Sequence, residues 1–268
     1  MIIIGEKING AIPNVRVAVE RRDENPIREL AKKQTEAGAH YLDVCAGTAP
    51  EVEAEALIWM ITVVQDAVGT PLCIDSPNAR TIEKALRHTR QPGIVNSVHD
   101  AGEKCEIVFP LISGTKWQVI AQTENNHGMP KDSKGRLEIA GSIIEKACKY
   151  RITPDQIHID PLVASISADN MSVLKFFESA TLVKTAYPTV KTTAAISNIS
   201  FGLPIRRLLN QQFYALAAFS GLDSAILDPC DRDMRDSILA TDALLGRDRY
   251  CRRLTNSYRK NRSEAPSL

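Results

Sequence analysis

Five short apolar runs in this chain each end in a carboxylate or an amide. Leu72-Cys73-Ile74 runs into Asp75, and Ile94-Val95 into Asn96. Ile159 is followed by Asp160, Ala194-Ala195-Ile196 by Ser197-Asn198, and Ile226-Leu227 by Asp228. Glu6-Lys7-Ile8-Asn9 follows the opening apolar run in the same way. Acceptors and amides outnumber cations in this set. If they converge, they suit a neutral ligand rich in N–H donors, such as a 2-amino-4-oxo-pyrimidine ring. A carboxylate can accept two adjacent N–H groups, and an asparagine can donate to a carbonyl while accepting from an amine.

Each residue also has a local alternative. Asp, Ser and Asn are all helix N-cap formers, so Asp75-Ser76-Pro77-Asn78 could simply start the next helix. Asp160-Pro161 and Asp228-Pro229 could be turn starts, the reading favoured for Asp228, and Asn96 could be a turn residue. His99 and His127 have no partner at ligand spacing and fit loop roles; Tyr41 and Trp59 fit the core. Glu51, Glu53 and Glu55 read as the acidic first turn of a helix. No nucleophile–base pair stands out by spacing.

The elements needed to gather these groups follow a repeated rhythm. Eight short, β-branched apolar segments are each followed by a helical pattern: Pro26–Ala37, Glu51–Val68, Asn78–His88, Lys104–Ile112, Leu137–Tyr150, Met171–Val183, Pro204–Phe219 and Asp233–Leu245. Continuous apolar strands are buried on both faces, as in a parallel sheet. Eight such units within 268 residues predict a single-domain (β/α)8 TIM barrel, whose active site lies at the C-terminal ends of the strands. A doubly wound open sheet is the alternative, but no G-x-G-x-x-G follows the first strand. The barrel is expected over residues 1–252 and a frayed polar tail over 253–268.

Bulk properties bound the partners. The chain is 44% hydrophobic and 24% charged, with a net charge of +1, so neither nucleic acid nor an anionic membrane is expected. No apolar run is long enough to span a membrane, and "MIIIGEKING" lacks the form of a signal peptide, so a cytoplasmic location is expected. The six cysteines include no C-x-x-C pair, which fits reduced thiols and no bound metal.

The motifs "IIIGEKING", "CIDS", "VNS", "IDPL", "SNISFGLPIRRLLNQQF" and "GLDSAILDPCD" appear in order over nearly the whole chain. Together they resemble the methyltetrahydrofolate:corrinoid protein methyltransferases, pterin-binding barrels related to the folate domain of cobalamin-dependent methionine synthase. The resemblance implies that Asp75, Asn96 and Asp160 hold the pyrimidine edge of the pterin and that Asn198 reaches N5. Asn198 and Asp160 would be the catalytic pair. Ser197, Arg206 and Ile226 would line the cavity, and Glu6 and Asn9 would shape its rim. Many relatives carry Asn where this chain has Cys45. The implied substrates are tetrahydrofolate or 5-methyltetrahydrofolate and a corrinoid.

The chain lacks a D-x-H-x-x-G corrinoid-carrier pattern, so a separate corrinoid protein is expected to dock over the rim, against 124–135 or the loop after Asn198. Homodimerisation is a further implication. The direction of transfer is open, and a role in demethylating methylamines or betaines is as compatible as an acetogenic one. Two alternatives stand beside this reading. A dihydropteroate synthase would need a basic diphosphate site, where "DVCAGTAPEVEAE" is acidic. The other is a non-catalytic folate-binding subunit of a corrinoid complex.

Overall fold

In the computed structural model, which describes residues 1–263, eight parallel strands close into a barrel in sequential order. They are β1 (Ile2–Asn9), β2 (Tyr41–Cys45), β3 (Leu72–Asp75), β4 (Ile94–Asp100), β5 (Gln118–Asn125), β6 (Ile157–Asp160), β7 (Lys191–Ala195) and β8 (Ser224–Leu227). The outer helices are α1 (Pro13–Arg21), α2 (Glu24–Glu36), α3 (Pro50–Ala67), α4 (Ala79–Leu86), α5 (Lys104–Ile112), α6 (Ser133–Lys149), α7 (Ser172–Ala186), α8 (Arg206–Phe219), α9 (Arg232–Leu244) and α10 (Arg252–Ser263). The expected TIM barrel is the observed fold.

Alternation along each strand sorts the side chains. In β2, Leu42 and Val44 point outward into the layer between sheet and helices. Inside the barrel, Ile4, Cys73, Ile94, Ile120 and Ile226 form a separate apolar plug. Below the plug, His158 is fully buried between Ser224 Oγ and Gln118 Oε1, each 2.8 Å away. Burial pushes this histidine down to about 3, so it stays neutral and serves packing. The floor is therefore sealed, and any ligand must enter from the opposite mouth.

Three local differences matter. Strand β1 extends through Asn9, so Glu6 and Asn9 are carried by the sheet itself rather than by a loop. Helix α1 is an extra element, started by Pro13 in its first turn. The tail expected to fray from residue 253 is instead helical through Ser263. Asp248 caps this helix by accepting from the Arg253 and Leu254 N–H groups. Residues 264–268, the rest of that expected tail, lie outside the described residues.

The rim after β1 leaves no space for a side chain at Gly10. A Cβ there would stand 1.8 Å from the Ala46 carbonyl oxygen. This close approach locks the end of β1 to the end of β2, with Gly10 N–H donating to Cys45 O at 3.0 Å.

Candidate functional site

Strand register brings the polar residues to one level. Asn9 pairs with Cys45, Cys45 with Asp75, and Asp75 with Asn96. Across the mouth, Gln122 pairs with Asp160, and Ala195 with Ile226. All nine residues singled out from the sequence, namely Glu6, Asn9, Asp75, Asn96, Asp160, Ser197, Asn198, Arg206 and Ile226, line one cavity of about 680 Å³. That volume lies in the range of small-molecule sites.

The local alternatives separate cleanly. Asn78, not Asp75, caps α4, accepting from the Arg80 N–H at 2.9 Å. Ser76 supports that turn, and Asp75 faces the cavity. Asp160 does both jobs: one carboxylate oxygen accepts the Leu162 N–H at 2.8 Å, while the residue also lines the cavity. Asp228 is a turn residue as favoured, accepting from the Cys230 N–H, and it also pairs with Lys7 at 3.2 Å. Asn96 donates to Asp43 Oδ1 at 3.1 Å, and its peptide bond to Ser97 is cis.

Asp43 is the main residue that the sequence reading missed. It is buried inside the barrel, one pleat below the mouth. A lone carboxylate flanked by Leu42 and Val44 was the available signal: alternation places both neighbours on the helix side and Asp43 inward. His99, Lys104, Gln122 and Glu124 also line the cavity, so His99 is not simply a loop residue; His127 remains exposed.

The acidic cluster on α3 also divides. Glu51 and Glu55 are exposed, but Glu53 is only 4% exposed. It accepts from Ser76 Oγ at 2.7 Å and Thr81 Oγ1 at 2.9 Å, while Lys104 Nζ donates to Ser76 O at 3.1 Å. This buried cluster sets the turn that aims Asp75. Glu53→Ala removes the buried acceptor of two hydroxyls beside a buried ammonium and is expected to destabilise the fold by about 3 kcal/mol. Urea unfolding measures this directly; an unmoved midpoint would contradict the assignment.

Crowded carboxylates raise one another's proton affinity. Burial pushes Asp160 up to about 7, opposed by the Leu162 N–H and by Arg136. Burial also raises Asp75 to about 6, against the pull of the Cys45 thiol and Lys104. Asp43 is held well above the usual carboxylate range by burial and by Asp75. Glu6 is raised chiefly by burial, although Ser197 Oγ donates to it at 3.1 Å. At neutral pH the cavity thus offers both ionised acceptors and protonated carboxyls.

The cations are already engaged. Lys7 pairs with Asp228, Lys104 serves Ser76, and Arg206 donates to Ser200 Oγ at 3.1 Å and Ser197 O at 3.0 Å. The Asn198 side chain stands exposed at the mouth, on the 3-10 turn Ile196–Ser200. No metal-holding cluster of His, Cys, Asp or Glu occurs among the described residues.

A family model described as pterin binding enzyme matches residues 16–228. The chain belongs to the pterin-binding enzymes. A relative of this enzyme from Eubacterium limosum, named methylcorrinoid:tetrahydrofolate methyltransferase, is 47% identical over 264 residues, covering 98% of this chain and 97% of its own. Methionine synthase of Mycobacterium tuberculosis is 27% identical over 240 residues, which is 85% of this pterin-binding enzyme but 20% of the longer protein. Among solved structures, dihydropteroate synthase of Xanthomonas albilineans with 4-aminobenzoic acid superposes with a TM-score of 0.69 at 17% identity, covering 91% of this chain and 92% of its own. The same synthase with 7,8-dihydropteroate gives 0.67 at 20% identity, covering 91% and 92%. At those identities the likeness is one of fold.

Proposed function

We propose that this pterin-binding enzyme is a methyltransferase that passes a methyl group from a methylcorrinoid, carried by a separate protein, to N5 of tetrahydrofolate. The observation that carries the reading is the convergence of Asp75, Asn96, Asp160 and Asn198 on one cavity, in a chain 47% identical to a methyltransferase named for that reaction.

In this reading, the carboxylates of Asp160 and Asp75 accept the N–H groups along the pyrimidine edge, and Asn96 serves the adjacent amide. Their approach to one cavity from β3, β4 and β6 fixes the plane of the ring. N5 is then directed toward Asn198 at the open mouth. The N5 lone pair forms the new N–C bond, the carbon–cobalt bond breaks with its electron pair retained by cobalt, and N5 gives up its proton. The pocket's contribution is to keep that lone pair free and aimed, which is positioning catalysis. Asn198 is neutral and supplies no proton. Its carbonyl oxygen can accept from N5–H as positive charge develops there, an interaction that strengthens in the transition state. The reverse transfer uses the same contacts.

A diphosphate-bearing pterin fits the cavity poorly. Glu6, Asp43, Asp75, Glu124 and Asp160 line it, and its three cations are committed to protein partners. Homodimerisation and a cytoplasmic location belong to the same proposal. Leu208, Leu216 and Phe219 on one face of α8 are each more than half exposed and would suit a subunit contact, which sedimentation would read. Among the described residues no helix is long and apolar enough to cross a membrane.

The test is to mix the protein with 5-methyltetrahydrofolate and free cob(I)alamin and to follow the cobalt absorbance. Enzyme-dependent formation of methylcobalamin is the expected result. Folate binding without transfer, to free or protein-bound corrinoid in either direction, would favour the non-catalytic folate-binding subunit instead.

A further inference from the structure

Arg136 is 1% exposed and is among the largest fully buried side chains of the protein. A buried guanidinium is costly and calls for specific compensation. Its three hydrogen bonds all go to the loops at the barrel mouth. Nη1 donates to Leu162 O at 2.9 Å, Nε to Pro130 O at 3.3 Å, and Nη2 reaches Met129 Sδ at 3.6 Å. None of these acceptors is a carboxylate.

The Leu162 contact is the informative one. Leu162 has a φ of +62°, in the left-handed region that a leucine rarely adopts. Its N–H is held by Asp160 Oδ1 and its carbonyl by Arg136, so the turn is pinned from both sides. The orientation of the Asp160 carboxylate is thereby tied to a guanidinium outside the cavity lining. We propose that Arg136 is the positioning residue for Asp160, keeping that carboxylate aimed at the pterin edge, and that it couples this grip to the 124–135 segment of the rim. The inference rests on the reading of Asp160 as a pterin anchor.

The surroundings leave Arg136 this electrostatic role. Burial raises Asp160, and the Leu162 N–H and Arg136 are what oppose it. Lys175 on α7 is taken by Asp169 at 2.7 Å. Asp132 caps α6 through the Gly135 N–H, and Glu178 on α7 accepts from Ser133 Oγ. Strand β5 presents the neutral Gln122 and Thr123 beside Asp160, with Glu124 further along, and β4 presents Asn96. Asp132 and Asp169 also attract Arg136, so its charge serves three carboxylates, of which Asp160 alone lines the cavity.

The test separates charge from shape. Tetrahydrofolate affinity is measured from pH 6 to 9 for the wild type, Arg136→Gln and Arg136→Lys, with the thermal stability of each variant read in parallel. Gln retains a donor for Leu162 O but no charge, so the limb where affinity falls with acidity is expected to move up by about one pH unit. The loss of affinity is then about fivefold greater at pH 7 than at pH 9. Lys retains the charge but not the fork, so its limb stays in place while affinity falls by roughly three- to tenfold at every pH. Wild-type profiles in both variants, or equal limb displacements in both, would overturn the proposal. Should Arg136→Gln not fold, Arg136→Lys decides: uniform weakening with an unmoved limb supports the role, while unchanged affinity or a limb displaced by a full unit overturns it. A wild type that binds no folate at any pH would instead overturn the functional reading beneath.

Discussion

Replacing Asn198 with alanine is expected to lower methyl-transfer turnover by about 10²–10³-fold while weakening tetrahydrofolate binding by less than about tenfold. The split follows from position. Asn198 is exposed at the mouth, and its backbone, not its side chain, shapes the 3-10 turn by accepting from the Phe201 N–H. In the proposed pose the pyrimidine edge is gripped on the other strands, so the ring would bind without it. Charge develops at N5 only as the methyl group moves, and an amide placed there acts mainly on the transition state. Single-turnover rates with a methylcorrinoid donor, set beside equilibrium folate titrations, measure both halves. Equal losses in rate and affinity would assign Asn198 to ground-state binding instead.

Asp160→Asn is expected to do the opposite, and with an unusual accompaniment. Loss of an ionised acceptor facing two N–H groups costs about 3 kcal/mol, roughly a hundredfold in affinity at pH 8, because an amide nitrogen would then face ring donors. The ligand-free variant is nevertheless expected to melt at a higher temperature than the wild type at that pH. Asp160 is buried and sits at about 7 in the folded protein, against an ordinary value of 3.8. The folded state therefore holds its proton more tightly than the unfolded state. The stability this contributes is complete below about pH 4 and is lost as pH rises to about 7. Above pH 7 the empty protein carries a buried charge costing on the order of a few kcal/mol, which Asn does not carry.

The asparagine Oδ1 keeps the Leu162 contact, so the turn survives. The same sign governs wild-type binding: folate affinity is expected to rise about tenfold per pH unit toward pH 7 and then level off, with a steeper fall below pH 6 as Asp75 also protonates. Melting curves and titrations at pH 5 and pH 8 check both statements. A variant that melts lower at pH 8 would mean that Asp160 serves the fold rather than the ligand.

The barrel and its mouth were legible because a parallel strand buried on both faces reads as an apolar run, and the residue that ends the run must face something polar. Asp75, Asn96 and Asp160 announced themselves in that way. Asp43 did not, because it lies inside an apolar run rather than at its end, where only the alternation of Leu42 and Val44 about it marks the inward pleat. Glu53 was hidden by its neighbours: Glu51 and Glu55 make an ordinary acidic helix start, and one carboxylate of the three turns inward to Ser76 and Thr81. The helical tail was misread from its polar composition. Asp248 caps that segment from six residues before Leu254, a contact that composition does not reveal.

A crystal structure with 5-methyltetrahydrofolate bound decides most directly whether the rim carboxylates and amides grip the heterocycle. The pyrimidine edge should face Asp75, Asn96 and Asp160 from within the barrel mouth, with N5 turned toward Asn198 and the open rim. A pteridine seated elsewhere, or one lying in the mouth with its tail inward and its pyrimidine edge in solvent, would contradict the account.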